Sequence, residues 1–108
     1  MTFAAVYSNI IMANCVSCHM PGGVGVTLGK LDMSSQATAF MNLVGQKATM
    51  AACGGASMRV VAGSSATSVL YAKVNTTTCG NRMPSGKAAL SAANIATIKA
   101  WIDSGAGM

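Results

Sequence analysis

The chain has no glutamate and only two aspartates, so its seven lysines and arginines stand almost unopposed and give a formal charge of +5. No two of those basic residues are adjacent, and aromatic residues make up 5% of the sequence. A nucleic-acid surface needs basic residues clustered and interleaved with aromatics, so that class is excluded. The remaining reading is a solvated surface with a mild positive bias, which steers acidic protein partners. No apolar run reaches 18 residues, which excludes a transmembrane helix, and a hydrophobic content of 52% excludes disorder. Residues 1–14 lack a basic start and a small-residue cleavage pattern, so no leader is visible and the chain reads as cytoplasmic or as a mature form. Two Phe, two Tyr and one Trp are few bulky groups from which to build a core. Something large and apolar that is not an amino acid could fill that space.

What is abundant is small. Ala, Gly, Ser and Thr occupy 51 of 108 positions, and a chain of this length is one domain, residues 1–108, with a thin stability margin of its own. Helical spacing of Phe3, Val6, Tyr7, Ile10 and Ile11 predicts a helix over residues 3–14. Residues 20–31, with four glycines and Pro21, read as loop. A second helix is predicted from Ser34 or Ser35 to about Gly45, with Ala39, Phe40, Leu43 and Val44 on one face. Residues 46–63 read as irregular, and a short helix follows over 66–74, capped by Ser64 or Ser65. After a loop over 76–86, Ser91 caps a last helix lined by Ile95, Ile98, Trp101 and Ile102 and ended by Gly105. No sheet pattern and no internal repeat is present.

Cys15-Val16-Ser17-Cys18-His19 is the C-x-x-C-H pattern of covalent haem attachment. Two thiols three positions apart reach the two vinyl groups on one edge of a porphyrin and form thioethers. The next residue, His19, is then held beneath the iron. Its other ring N–H is expected to donate to a backbone carbonyl in the following loop, near Pro21. Three alternatives compete: a redox dithiol, chance, and a zinc site made of Cys15, Cys18, Cys53 and Cys79. A dithiol would sit between a strand and a helix, whereas here a helix precedes it. The zinc site would want its second pair close together, and Cys53 and Cys79 are 26 positions apart.

His19 is the sole histidine, so a sixth iron ligand falls to one of nine methionines, or the position is open. Met20 is too near His19 to reach the opposite face. Met12, Met33 and Met41 lie in or near helices, where methionine is ordinarily core filler. Met83 stands in the loop before the last helix, 64 residues after His19, with Pro84 keeping it out of helical geometry. It is the favoured ligand, with Met50 and Met58 as alternatives.

CVSCH after an N-terminal helix, an "RMP" loop and a C-terminal "IKAWIDSGA" make the chain resemble the small class I c-type cytochromes. The segments "LDMSSQATAFMNLVG", "RVVAGSSATSVLYAKV" and "CGNRMPSG" are similar to a bacterial single-haem subgroup with two extra cysteines. The resemblance implies an all-α class I cytochrome c fold of about four helices with long loops around one haem c. Its first and last helices would cross, and the iron would lie between His19 and Met83. It implies export to the periplasm or cell exterior and, in that oxidising compartment, a Cys53–Cys79 disulfide. Arg59 becomes a candidate for a haem propionate, or equally a solvated surface arginine. "RVVAGSS" departs from the proline expected after the valines in relatives.

With both axial positions filled, one-electron transfer between ferric and ferrous iron is the implied function, and the chain is a carrier, not an enzyme. Redox partner proteins are expected over the thioether-bearing edge, with Arg82 and Lys87 beside it. The chain is then a monomer or a haem subunit of a larger assembly. The other alternative is a ligand-binding or peroxidase-like haem protein in which Met83 dissociates. The lack of a second histidine argues against peroxidase chemistry.

Overall fold

The computed structural model describes residues 2–28, 30–48, 57–76, 82–84 and 86–108. The first helix covers residues 3–14 as expected, but not as a uniform α-helix. Phe3–Val6 is α-helical, Tyr7–Ile11 forms a π-turn, and Met12–Asn14 returns to α geometry. Its apolar stripe, Phe3, Val6, Tyr7, Ile10 and Ile11, is buried throughout. Thr2 offers no side-chain cap. Instead the Phe3 N–H donates to the carbonyls of Gly107 and Met108, at 3.1 and 3.2 Å, so the end of the chain satisfies a donor that a helix start leaves free.

The last helix, Ala92–Asp103, is capped as its sequence predicts: the Ser91 hydroxyl accepts from the Asn94 N–H at 3.1 Å. Gly105 follows with a positive φ of 118°, and its N–H reaches the Ile102 carbonyl at 3.0 Å. Ile98, Trp101 and Ile102 are buried against the first helix. The Phe3 ring lies 5.0 Å from Trp101, 5.4 Å from Phe40 and 6.2 Å from Tyr7, centroid to centroid. Four of the five aromatic residues therefore gather around one point, and such pairs add roughly 0.5–1.5 kcal/mol each beyond area burial.

Phe40 comes from the helix Gln36–Leu43, started by Ser35, whose hydroxyl accepts from the Thr38 N–H at 3.2 Å. The helix expected over 66–74 is divided. Ser65–Thr67 is a 3₁₀ turn and Val69–Asn75 the helix proper. Ser68 divides them because its hydroxyl donates to the Ser64 carbonyl and accepts from the Val61 N–H, both at 2.8 Å. A serine hydroxyl competes with the backbone for helix hydrogen bonds, and here it holds its own residue extended. Residues 57–61 run between 44–48 and 68–70 through isolated bridges, and no strand forms among the described residues. Among the described residues the architecture is all-α, as expected.

Candidate haem site

The first helix ends directly into the C-x-x-C-H segment. The Cys15 N–H reaches the Ile11 carbonyl at 2.8 Å, and the Cys18 and His19 N–H groups return to the Cys15 carbonyl at 3.2 and 3.0 Å. This tight turn carries both thiols, free and half-buried, into an open cleft. Asn14, His19 and Val24 line it with the thiols, and so do Met83, Pro84 and Lys87.

His19 is held from behind. Its Nδ1 lies 2.8 Å from the Leu31 carbonyl, and a carbonyl only accepts, so Nδ1 carries a proton and, in the neutral ring, Nε2 is the nitrogen with the free lone pair. The acceptor is thus twelve residues after His19, not near Pro21 as expected. The reason lies in the loop, which is not wholly irregular: Val24–Thr27 makes one helical turn and brings the chain back beneath the imidazole. The Gly25 N–H donates to the Cys18 carbonyl, the Leu31 N–H to Gly25, and the Met33 N–H to the His19 carbonyl at 2.7 Å. A Cβ on Gly25 would collide with Nδ1 and Cε1 of His19, so this glycine is required by close approach.

Met83 reaches the same cleft from the loop before the last helix. Its N–H donates to the Lys73 carbonyl at 2.7 Å, tying that loop to Val69–Asn75. Met58 instead sits in the bridge with Lys47, away from the cleft, and Met20 is 41% exposed. Met50, Cys53 and Cys79 lie outside the described residues. Lys87 Nζ bonds the Ser17 hydroxyl at 3.1 Å, spanning the C-x-x-C-H turn and the methionine loop. Burial pushes the Cys15 thiol up to about 11, against the pull of the Lys87 ammonium and with a smaller push from Cys18.

Arg59 is not brought to the cleft. It is 9% exposed, and its Nη1 and Nη2 donate to the carbonyls of Asn42 and Lys30 at 2.9 and 3.1 Å. Burial lowers its pKa from the ordinary value. Sequence reasoning missed Leu31, Gly25 and Asn42. Only Gly25 left a trace, as one of the four glycines in residues 20–31.

The donor set fits a haem c: two thiols three positions apart, an imidazole with Nε2 bare, and a thioether, all on one cleft. Fold and cleft together define a c-type cytochrome domain. The chain belongs to the family described as cytochrome c oxidase, cbb3-type, subunit III, whose family model matches residues 2–102. No curated protein and no solved structure matches it. The family's domain binds one haem c through a C-x-x-C-H segment and transfers electrons.

Proposed function

We propose that the chain is a single-haem electron carrier in which Cys15 and Cys18 hold the haem through thioethers and His19 and Met83 bind the iron. The observation that carries this is the meeting of His19, its Nδ1 anchored on Leu31, with Met83 in the cleft that holds both thiols. The bound haem supplies a one-electron ferric/ferrous couple. The chain's part is to fix the potential and exclude water. The soft Met83 thioether favours the reduced iron and raises the potential, while the Leu31 carbonyl makes Nε2 more basic and works the other way. Val24, Met83 and Pro84 give the cleft an apolar lining that disfavours extra charge.

Because haem is attached outside the cytoplasm, the reading includes export to the periplasm or cell exterior, and a Cys53–Cys79 disulfide there. No helix among the described residues is long and apolar enough to cross a membrane. Partners would approach the edge near Cys15, Cys18 and Lys87. The family's description favours one second reading, a haem subunit within a larger redox assembly. Size-exclusion chromatography separates that from a free monomer.

Intact mass under denaturing conditions should equal the chain plus one haem; a bare chain from a haem-attaching host refutes the proposal. Met83→Ala should keep the haem but lose the thioether-to-iron charge-transfer band, lower the potential and admit cyanide. If Met58→Ala removes the band and Met83→Ala does not, the ligand is misassigned.

A further inference from the structure

The segment behind His19 is held at three successive carbonyls, and each has a different donor. Leu31 takes the His19 Nδ1–H at 2.8 Å. On one side of it, the Lys30 carbonyl accepts from Arg59 Nη2 at 3.1 Å; on the other, the Asp32 carbonyl accepts from Asn42 Nδ2 at 3.0 Å. The two donors are themselves joined, since Arg59 Nη1 donates to the Asn42 carbonyl at 2.9 Å. Lys30 adds a reason for the brace. Its φ of 57° is left-handed, a conformation that residues with a Cβ adopt at a cost, and its carbonyl is the one the guanidinium holds.

A buried arginine spent on two backbone carbonyls is unusual for a group that stays charged. Its backbone is equally fixed. The Arg59 N–H donates to the Gln46 carbonyl at 2.7 Å, and its carbonyl accepts from the Leu70 N–H at 2.9 Å. The guanidinium therefore works from a rigid mount.

We propose that Arg59 and Asn42 are positioning residues for the His19 imidazole, acting through the Leu31 carbonyl between the two they hold. This rests on the reading of His19 as the iron ligand. The brace keeps Leu31 at bonding distance from Nδ1, and so keeps the ring's tautomer, its tilt and the basicity of Nε2. The group that accepts from a metal-ligating histidine typically changes metal affinity or activity by about 10–100-fold when removed; Arg59 and Asn42 act one bond further out, through that group.

The test uses the reduced holoprotein, with proton exchange of the His19 Nδ1–H followed by NMR and the reduction potential measured in parallel. Asn42→Ala and Arg59→Lys leave the charge unchanged, so they report on the carbonyl alone. Both should speed exchange severalfold, Arg59→Lys the more, because its single ammonium cannot match a fork. In both the potential should rise, because a loosened Leu31 makes Nε2 less basic. Arg59→Met should exchange faster still, but its potential should rise less, since losing a buried cation pulls the potential down. If Arg59→Met fails to hold haem, the two milder variants decide. Unchanged exchange in both overturns the brace. A change confined to the pH dependence of the potential also overturns it, and returns Arg59 to a propionate. If the wild-type His19 ring protons are not shifted upfield by a porphyrin above them, the axial-ligand reading has failed, and the brace falls with it.

Discussion

The two ends of the first helix are built alike and finished differently. At its start Phe3 is fully buried among Tyr7, Phe40 and Trp101; at its end Met12 is 56% exposed and Asn14 and Cys15 line an open cleft. One end is closed by the chain's own rings, and nearly all of its few rings are used there. Among the described residues, the other opens onto the cleft that holds both thiols. The scarcity of aromatic residues is therefore a matter of distribution: the aromatic end is fully supplied, and the thiol end is shaped for a body that is not a side chain. Stability should depend on both ends, and redox behaviour on one.

The largest effect should come from the thiol end. Replacing Cys15 and Cys18 together by Ser should abolish covalent haem and leave a chain without a cooperative melting transition, read by intact mass and circular dichroism. A sharp transition in that variant would break the comparison, because the aromatic end would then suffice alone. Next, Trp101→Ala should destabilise by about 3–5 kcal/mol in denaturant titration, with the potential nearly unmoved. A large shift in potential would mean that the two ends are coupled.

Gly25→Ala sharpens the comparison from the other side. Its Cβ meets His19 and the Cys18 carbonyl, so the cost should be about 1–3 kcal/mol, as for other overpacked sites, and the potential should move with it. The smallest effect belongs to Asp103, at the far end of the last helix. The Lys99 ammonium, with the backbone and hydroxyl of Ser65, lowers its pKa from 3.8 to about 2. A carboxylate depressed on folding contributes stability that is fully present above about pH 4 and is lost as pH falls through 2. Asp103→Asn should flatten the acid limb of the stability profile within that window and leave the potential alone.

Much of this division was legible in the sequence, for reasons that differ by residue. Cys15, Cys18 and His19 announce themselves because bonding one rigid ring fixes their spacing. Ser91, Ser35 and Gly105 carry cap chemistry in their side chains or in the lack of one. Leu31 acts through its carbonyl, which every residue possesses, so no pattern of letters marks it. Arg59 was legible as a cation needing oxygen partners, but a propionate and two backbone carbonyls satisfy that need alike. The break at Ser68 was hidden because Ser64, Ser65 and Ser68 are all plausible caps, and tertiary contacts chose the last.

The π-turn at Tyr7–Ile11 has a consequence for changes in chain length. A π-turn holds one residue more than α geometry needs, and each residue added to or taken from a regular α-helix rotates the downstream residues by about 100°. Deleting exposed Ser8 or Asn9 would let the turn close to α geometry, with Phe3, Tyr7, Ile11 and Cys15 spaced four, three and four apart on one face. The same loss at Ala13, past the turn, would swing both thiols off the cleft. A single-codon deletion is thus absorbed at one point of this helix and is ruinous a turn later.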